Sequence, residues 1–459
     1  MKKLLSIIMY FFVVLIVTSP CYYFIKIYKI NNHYNQLYDI KSDVCLRKFP
    51  YPYKAALAIA NDIDSTDTVG EFLSIHDYLN TKNITNMGAG VDLEIGDSFF
   101  MFDPKDNFSF FSTKDKGKDK IIISKFIETG YLDSLHSFGD GYKNRNDAQV
   151  ALNELKKNNN KLSVWINHSQ EKSNFGGWYS TNLGDNRDSK YYHADLTIPY
   201  GIKFVWLGKT TNIIGQATQI SFYTFIGSFD PEYPAKSFRN IVKTILKNIL
   251  SIYQLWPSRY SSYEENDLVN IVKLEDGQKV YEFTRFDNHP DGIGAGANSK
   301  NMAYNLSGRV LRQLKQVNGY GILYTHFGKN EDCPQEICEE TQSALRNLRN
   351  EYLNGDIYVT TTSKLLSYYI AHKYLKVSSR IDNNDLIIVI HSIEDPVFGT
   401  YVPSFEDLQG ITFYIPSGKR VKIYINQKEI RDFIRNQADE NNRESVTIPI
   451  KINKYPNLK

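Results

Sequence analysis

Short runs of β-branched or aromatic residues alternate with segments of helical periodicity along most of the chain. Strands are expected in the runs 54–60, 88–95, 131–136, 162–167, 202–206, 280–286, 321–326 and 357–361. Helical spacing of apolar residues is found in 69–82, 148–157 and 301–318, and Gly319 stands where a helix should end. Alternating strands and helices are typical of βα units, so the pattern predicts an α/β fold with a distorted β/α barrel of seven to eight strands.

The pattern changes at both ends of the chain. After residue 380 alternating strands without helices predict a β-sandwich module over 381–459. At the other end, residues 4–25 carry no charge and follow Lys2 and Lys3, which predicts a transmembrane helix over 1–27. A cleaved signal peptide is the alternative. With the anchor, a stalk over 28–50 would hold the barrel over 51–380, and the main domains would lie outside the cytoplasmic membrane.

Residues 207–279 are too long for one βα connection and are expected to form an insertion. They contain an amphipathic helix whose apolar face is formed by Phe238, Ile241, Val242, Ile245, Leu246, Ile249, Leu250 and Tyr253. Arg239, Lys243 and Lys247 form a basic stripe on another face. Two interpretations stay open: the helix docks on the barrel with a solvated face, or it contacts a membrane surface.

Composition narrows the classes of function. The chain is 42% hydrophobic and 14% aromatic, which indicates globular structure. Its net charge of +3 is nearly balanced and shows no basic block, so nucleic acid is excluded as a partner. Cys333 and Cys338 are too few for a zinc site and predict a local disulfide or two free thiols.

Polar residues follow several of the predicted strands. Asp62 and Asp64 end the first run, and their two-residue spacing places both carboxylates on one side of a strand. His136 ends the third run, and the glycines after it allow Asp140 to fold back towards it. The fourth and seventh runs end in Asn167-His168-Ser169 and in His326. In a β/α barrel such strand ends form the active site.

Carboxylates and imidazoles that converge from separate strands suit a divalent metal ion, expected to be zinc, with a position left for water. The ion lowers the pKa of that water towards about 7. A carboxylate that is not a ligand can take the water proton, and a histidine opposite can protonate the leaving group. The pattern therefore predicts a metal-dependent hydrolase. Each Asp or Asn taken alone is more often a loop or helix cap.

At these residues the sequence resembles the NodB-homology polysaccharide deacetylases, through the stretches ANDID (60–64), HSFGD (136–140) and LYTH (323–326). The later stretch VTTTSKLLSYY (359–369) is similar to the segment that closes such barrels. The resemblance covers roughly residues 50–375. It implies removal of acetyl groups from a glycan by a metal-dependent esterase.

The resemblance implies that Asp62 is the catalytic base, His326 the acid and Arg285 the residue that orients the base, with Asp64, His136 and Asp140 as metal ligands. Apart from the resemblance, Asn167, His168 and Trp178 are expected to contact the substrate, the tryptophan by stacking on a sugar face. The sequence departs from the family at three places, and at one of them Asn167-His168 stands where the family has an arginine-proline motif. The paired aspartates are not adjacent, so either Asp62 is the base and Asp64 a ligand, or Asn61-Asp62 corresponds to the pair and the base is lost. Asp140 stands in place of the second family histidine.

The predicted function is thus the deacetylation of a cell-surface or envelope polysaccharide, with that polysaccharide as substrate and the cytoplasmic membrane as the site of anchoring. Two alternatives stay open. The barrel is a catalytically inactive glycan-binding or scaffold component of an export or envelope assembly, or it is a metal-independent glycosidase that uses paired carboxylates. The sequence does not determine self-association.

Overall fold

The computed structural model describes residues 45–458, except 64, 104, 106, 115–116, 140, 170, 177–180, 220–221, 253–265 and 331–332. Its helices are α1 (Val69–Asn80), α2 (Lys118–Glu128), α3 (Arg145–Lys157), α4 (Ala194–Tyr200), α5 (Phe222–Gly227), α6 (Pro234–Ile252), α7 (Met302–Asn305), α8 (Gly308–Gln316), α9 (Glu339–Leu353) and α10 (Thr362–Tyr374). Most of them follow a strand along the chain.

The strands fall into one large sheet and three small ones. Those up to residue 359 are β1 (Cys45–Arg47), β2 (Ala55–Asp62), β3 (Ile84–Thr85), β4 (Gly88–Ala89), β5 (Gly96–Phe99), β6 (Leu132–His136), β7 (Val164–Ile166), β8 (Phe204–Trp206), β9 (Thr210–Thr211), β10 (Val269–Lys273), β11 (Lys279–Phe283), β12 (Arg285–Phe286), β13 (Tyr320–Thr325) and β14 (Ile357–Val359). The later strands are β15 (Leu375–Asp382), β16 (Asp385–Asp395), β17 (Gly399–Tyr401), β18 (Thr412–Tyr414), β19 (Arg420–Ile425), β20 (Lys428–Ile430), β21 (Ile434–Asn436) and β22 (Ser445–Thr447).

The large sheet of the described residues has eleven strands in the order β10-β11-β8-β7-β6-β5-β2-β13-β12-β9, and β14 pairs with β2 beside β5. All of its neighbouring strands are parallel except β10 and β11. Parallel pairing follows from the helical connections, which return the chain to the same end of the sheet. The carboxyl ends of the strands therefore share one edge.

This sheet is a curled, open half-barrel, so the predicted fold class is wrong. The hydrogen-bonded path ends at β10 and β9, where a barrel of seven to eight strands has no ends. The chain divides at Thr284: β11 pairs with β8, whereas β12 pairs with β13 and β9 in the other arm. β14, expected to close a barrel, instead joins β2. β9 and β10 come from the predicted insertion 207–279 and form the two ends.

The two faces of the sheet pack against different partners. Alternate residues of β2 divide between them: Leu57 and Ile59 pack against α1, α8 and α9, while Ala56, Ala58 and Ala60 belong to the core that includes α10. We call the second face, which also carries Ile166 and Phe204, the inner face. Asp62 continues the alternation of the alanines and so belongs to the inner face.

The strands after α10, together with β1, form two small sheets, ordered β15-β16-β19-β20 with β17 on β16, and β1-β18-β22-β21. Their apolar residues, such as Ile388, Phe413 and Val446, join the same buried core as the inner face of the large sheet. β16 and β19 run parallel, and β1 comes from the predicted stalk. The C-terminal strands thus depend on residues from the start of the described chain.

None of the helices in the described part of the chain is both long and apolar enough to cross a membrane. The predicted transmembrane segment 1–27 lies outside the described residues, so the transmembrane part of the predicted fold class gains no support. Cys333 and Cys338 form a disulfide, as in the first of the two alternatives drawn from the sequence.

Candidate functional site

The predicted chemistry gathers at the carboxyl edge of the large sheet. Asp62 ends β2, His136 ends β6, and His326 follows β13 directly. Arg285 begins β12, which pairs with β13. In open α/β sheets ligands bind outside the carboxyl ends of the strands, so this edge is where a site is expected.

Asp62 and Arg285 form a buried, two-pronged ion pair. The Arg285 Nη1 and Nη2 atoms donate to the Asp62 Oδ2 and Oδ1 atoms, both at 3.0 Å, and the two side chains are 0% and 3% exposed. The Ser98 hydroxyl on β5 donates to Oδ1 at 2.7 Å. The carboxylate is therefore fixed in its plane by three donors.

Charge decides the ionisation of Asp62. Burial by itself would raise the pKa of Asp62, but the Arg285 charge, the two histidines His136 and His326 and the Arg285 hydrogen bonds together outweigh burial and hold that pKa well below its usual range. Both histidine rings therefore lie within electrostatic range of the carboxylate. Asp62 is therefore ionised at any ordinary pH.

Two aromatic rings hold the Arg285 guanidinium. Its central carbon lies 4.3 Å from the ring centre of Trp206 at the end of β8 and 4.9 Å from that of Tyr324 on β13. The faces of aromatic rings attract cations, and they shield this one from water. The rings and the carboxylate together fix the position of Arg285, which lets it fix Asp62 in turn.

His136 stands beside a second imidazole. The ring centres of His136 and His168 are 4.8 Å apart and nearly perpendicular, and Phe100 packs against both at 5.0 and 4.9 Å. The next residue, Ser137, has a φ of 46° and donates its N–H to the Ile166 carbonyl at 2.7 Å. This turn brings the loop after β6 against the end of β7, where the His168 loop begins.

The loop after His136 needs a glycine. Gly139 has a φ of 103°, and a Cβ atom there would lie 1.8 Å from the carbonyl oxygen of Phe102. Only glycine fits both the backbone conformation and the close approach. The glycine thus packs the loop against Phe102, whereas the predicted approach of Asp140 to His136 stays a prediction.

His326 is oriented by a neighbouring loop. Its Nδ1 atom lies 2.9 Å from the carbonyl oxygen of Ala297 and so donates to it, which makes Nε2 the nitrogen able to exchange a proton with a substrate. The loop before Ala297 is organised by Asp287, whose carboxylate accepts from the N–H groups of Gly294 at 2.6 Å and Gly296 at 3.2 Å. The glycine-rich stretch thus serves to position His326.

Two asparagines next to the predicted site form hydrogen bonds to the backbone of neighbouring loops. The Asn61 Oδ1 atom accepts from the N–H of Phe327 at 2.9 Å, which fixes the residue after His326. The Asn167 amide bonds the Trp165 ring nitrogen at 2.9 Å and both backbone groups of Phe175. These amides position loops, and contact of Asn167 with a substrate stays a prediction.

Asp64, Asp140 and Trp178 lie outside the described residues, so their predicted roles as metal ligands and as a substrate contact stay predictions too. Within the residues that the structure does describe, no group of three His, Cys, Asp or Glu side chains could hold a metal ion. The adjacent imidazoles of His136 and His168 are donors of the type that zinc binds.

A polar cleft of about 660 Å³ opens among the loops that follow β2 and β13. Its walls come from the segments that follow Asp62, Ala297 and His326 in the chain. Hydrogen-bonding side chains dominate its lining, among them Ser65, Asn107, Asn298, Lys300, Asn301, Lys329 and Asn330. The cleft can hold a hydrophilic ligand, but neither His326 nor Asp62 is among the residues that line it.

Several residues of the site were not predicted from the sequence. Ser98 escaped because its strand was placed over 88–95, although β5 covers Gly96–Phe99. Trp206 escaped because nothing in the sequence pairs it with Arg285. His168 was expected to bind substrate, and its contact with His136 requires knowing that β6 and β7 are neighbours.

No family model matches the chain, and comparisons with curated proteins and with solved structures find no match either. The resemblance to the polysaccharide deacetylases therefore stays a prediction from the sequence motifs.

Proposed function

We propose that the chain is a hydrolase that removes acetyl groups from a polysaccharide at the carboxyl edge of β2, β6 and β13. The observation that carries the proposal is the buried Asp62–Arg285 ion pair with histidines close by. The guanidinium keeps the carboxylate ionised and aligned, as proton acceptance requires, while the low pKa of Asp62 limits its strength as a base. The polar cleft among the loops after β2 and β13 suits the hydroxyl groups of a glycan.

Each residue has one task in the proposed reaction. Asp62 takes a proton from the attacking water while the water oxygen forms a bond to the acetyl carbonyl carbon. His326 then gives a proton through Nε2 to the sugar oxygen or nitrogen as the bond to the acetyl carbon breaks, which releases acetate. His136 and His168 would hold a divalent ion, which when bound would polarise the acetyl group and lower the pKa of water.

The test is acetate release from an acetylated polysaccharide by the full chain. His326→Gln should lower the rate by about 100-fold or more, since general acid catalysis contributes about 10²–10⁴-fold. Asp62→Asn should abolish release, but it also leaves Arg285 buried without a counter-charge, so its folding must be checked by circular dichroism. The matched control is His391→Gln, an exposed histidine on β16 far along the chain, which should release acetate at the normal rate.

Metal content provides a readout independent of activity. Stoichiometric zinc in the purified chain that is lost on His136→Ala and on His168→Ala, and kept in Asp62→Asn, would support the proposal. A metal-free native chain that still releases acetate would exclude the metal-dependent form of the reaction. Release of new reducing ends without acetate would favour the glycosidase alternative.

One observation favours a second candidate, the inactive glycan-binding or scaffold protein. Both oxygens of Asp62 already accept hydrogen bonds from Arg285, and Oδ1 accepts a further one from Ser98. A carboxylate with both oxygens hydrogen-bonded in this way is equally typical of an ion pair that only stabilises the fold. Binding of the polysaccharide without any acetate release, unchanged in His326→Gln, would support this candidate.

A further inference from the structure

Helix α6 turns apolar side chains to the solvent. Phe238, Val242 and Leu246 are 65%, 37% and 53% exposed. They follow one another at intervals of four residues and so form one stripe along the helix, which we call the apolar stripe. A surface helix of a globular protein normally buries such a stripe against the core.

The same helix docks on the protein through polar side chains. Ser237 and Thr244 are both 4% exposed. The Ser237 hydroxyl accepts from the N–H of Asp230 at 3.1 Å, and the Thr244 hydroxyl donates to the Asn212 side chain at 2.7 Å. Between them, the Asn240 amide donates to the Pro290 carbonyl at 2.9 Å. The polar side of α6 is thus committed to the fold, and the apolar stripe is directed away from it.

Basic residues flank the apolar stripe. The sequence of α6 contains no acidic residue and four basic ones, Lys236, Arg239, Lys243 and Lys247. Arg239 and Lys243 are exposed, and each follows a member of the apolar stripe by one residue, which is about 100° around the helix. Lys236 pairs with Asp291 at 2.6 Å, and both side chains are about half exposed.

We propose that α6 binds an anionic lipid surface, with the apolar stripe in the headgroup boundary and Arg239 and Lys243 on the lipid phosphates. Exposed apolar residues beside cations, without acids in the same helix, are what an interfacial helix requires. A second copy of α6 is a poor partner for this face, because the two basic flanks would repel each other. The proposal does not depend on the hydrolase function.

The experiment places a reporter on the stripe of the full-length chain. Val242→Cys, with Cys21 and Cys45 replaced by serine, is labelled with a fluorophore that shifts to the blue in an apolar environment. It is mixed with vesicles of phosphatidylcholine alone or with phosphatidylglycerol. The matched reporter is Ile434→Cys on β21, since Ile434 is also an exposed apolar residue, at 54%.

The reporter at position 242 should shift with phosphatidylglycerol vesicles and not with neutral ones, whereas the reporter at 434 should not move. Arg239→Glu with Lys243→Glu should weaken the effect roughly 30-fold, at about 1 kcal/mol per basic residue. Lys118→Glu with Lys161→Glu, two exposed lysines elsewhere, should leave it unchanged.

Three outcomes would overturn the proposal. The first is no shift with anionic vesicles, or an equal shift with neutral ones. The second is a shift without vesicles that grows with protein concentration, which would assign the stripe to a second copy. The third is a blue-shifted reporter at all concentrations without vesicles, which would mean that the chain itself covers the stripe.

Discussion

Arg285 is the most constrained side chain of the candidate site. It is fully buried, it bonds both oxygens of Asp62, and it lies between the rings of Trp206 and Tyr324. A buried guanidinium depends on its counter-ion, because the desolvation cost of one charge is offset only by the other. The ion pair is therefore a point where stability and the proposed chemistry meet.

Replacement of one partner of this pair should destabilise the fold more than replacement of both. Asp62→Asn or Arg285→Gln alone should lower the free energy of unfolding by about 3–5 kcal/mol, because each leaves an uncompensated buried charge. The double variant should lose less than the sum, which urea unfolding of the four chains measures as a coupling energy. Additive losses would mean that the two side chains are screened from each other by water.

Selecting polar residues at the ends of predicted strands identified part of this site. The residues that it missed depend on contacts between strands that are distant in the sequence. Asp62, His136 and His326 stand directly at strand ends, so local spacing was enough to select them. Arg285 was selected only through a family resemblance. Its partner Asp62 lies 223 positions away in the sequence, and only the order of strands in the sheet shows that β12 lies beside β13. Pairing across a sheet is a tertiary property, which periodicity does not encode.

At the scale of elements, the strand predicted over 88–95 shows how an alternating pattern misleads. Val91, Leu93 and Ile95 are buried as the alternation demands. The segment, however, pairs with the end of α1: Val91 donates its N–H to the Tyr78 carbonyl and Leu93 to the Leu79 carbonyl. Burial of alternate residues needs only an extended chain under a helix, so it does not specify a partner strand.

The helix predicted over 301–318 is also divided. Ser307 takes an extended conformation, with a ψ of 151°, between α7 and α8. Gly319 is not the helix cap: Asn318 adopts the left-handed conformation, and a Cβ on Gly319 would lie 2.4 Å from the Cα of Gly215. The glycine is needed for that close approach, which no pattern along the chain predicts.

Asp133 links two elements, β6 and α10, and should make stability depend on pH. Its carboxylate accepts from the N–H of Ser363 at 2.6 Å in the first turn of α10 and from the Ser134 hydroxyl at 2.8 Å. Burial nevertheless raises the pKa of Asp133 from 3.8 to about 6, although these hydrogen bonds oppose the shift. The folded state therefore binds this proton more tightly than the unfolded state does.

A raised carboxyl pKa destabilises the fold as the pH rises. Below about pH 3 the group is protonated in both states and has no effect, and above pH 6 its charge must be buried. Relative to Asp133→Asn, the native chain should therefore lose about 3 kcal/mol of stability between pH 3 and pH 7, measured by urea unfolding. The control Asp432→Asn, at an exposed residue, should show no comparable change. A difference that is constant with pH would contradict the assignment.

At the scale of the whole molecule, Arg47 joins the start of the described chain to its end. It lies on β1, which pairs with β18 of the C-terminal strands. Its Nη1 atom donates to the Phe49 carbonyl at 3.0 Å, its Nη2 atom donates to the Pro52 carbonyl at 3.0 Å, and its Nε atom lies 3.5 Å from Asp439. A stretch that reads as polar stalk is thus part of the shared core.

Arg47→Met should loosen the C-terminal strands from the large sheet while keeping the volume of the side chain. Buried carbonyls lose their donors, at about 1–3 kcal/mol for each one left unsatisfied, so the free energy of unfolding should fall by about 3 kcal/mol or more. The matched control is Arg431→Met, because the Arg431 side chain is 86% exposed and lies just after β20.

Hydrogen exchange of the backbone amides shows which part of the fold loses stability in Arg47→Met. Residues of β18 and β22 should exchange faster in Arg47→Met while β2 and β13 keep their protection, because β1 holds the smaller sheet by its edge. Equal acceleration in both sheets would mean that the two unfold as one unit, with Arg47 stabilising the whole rather than the junction.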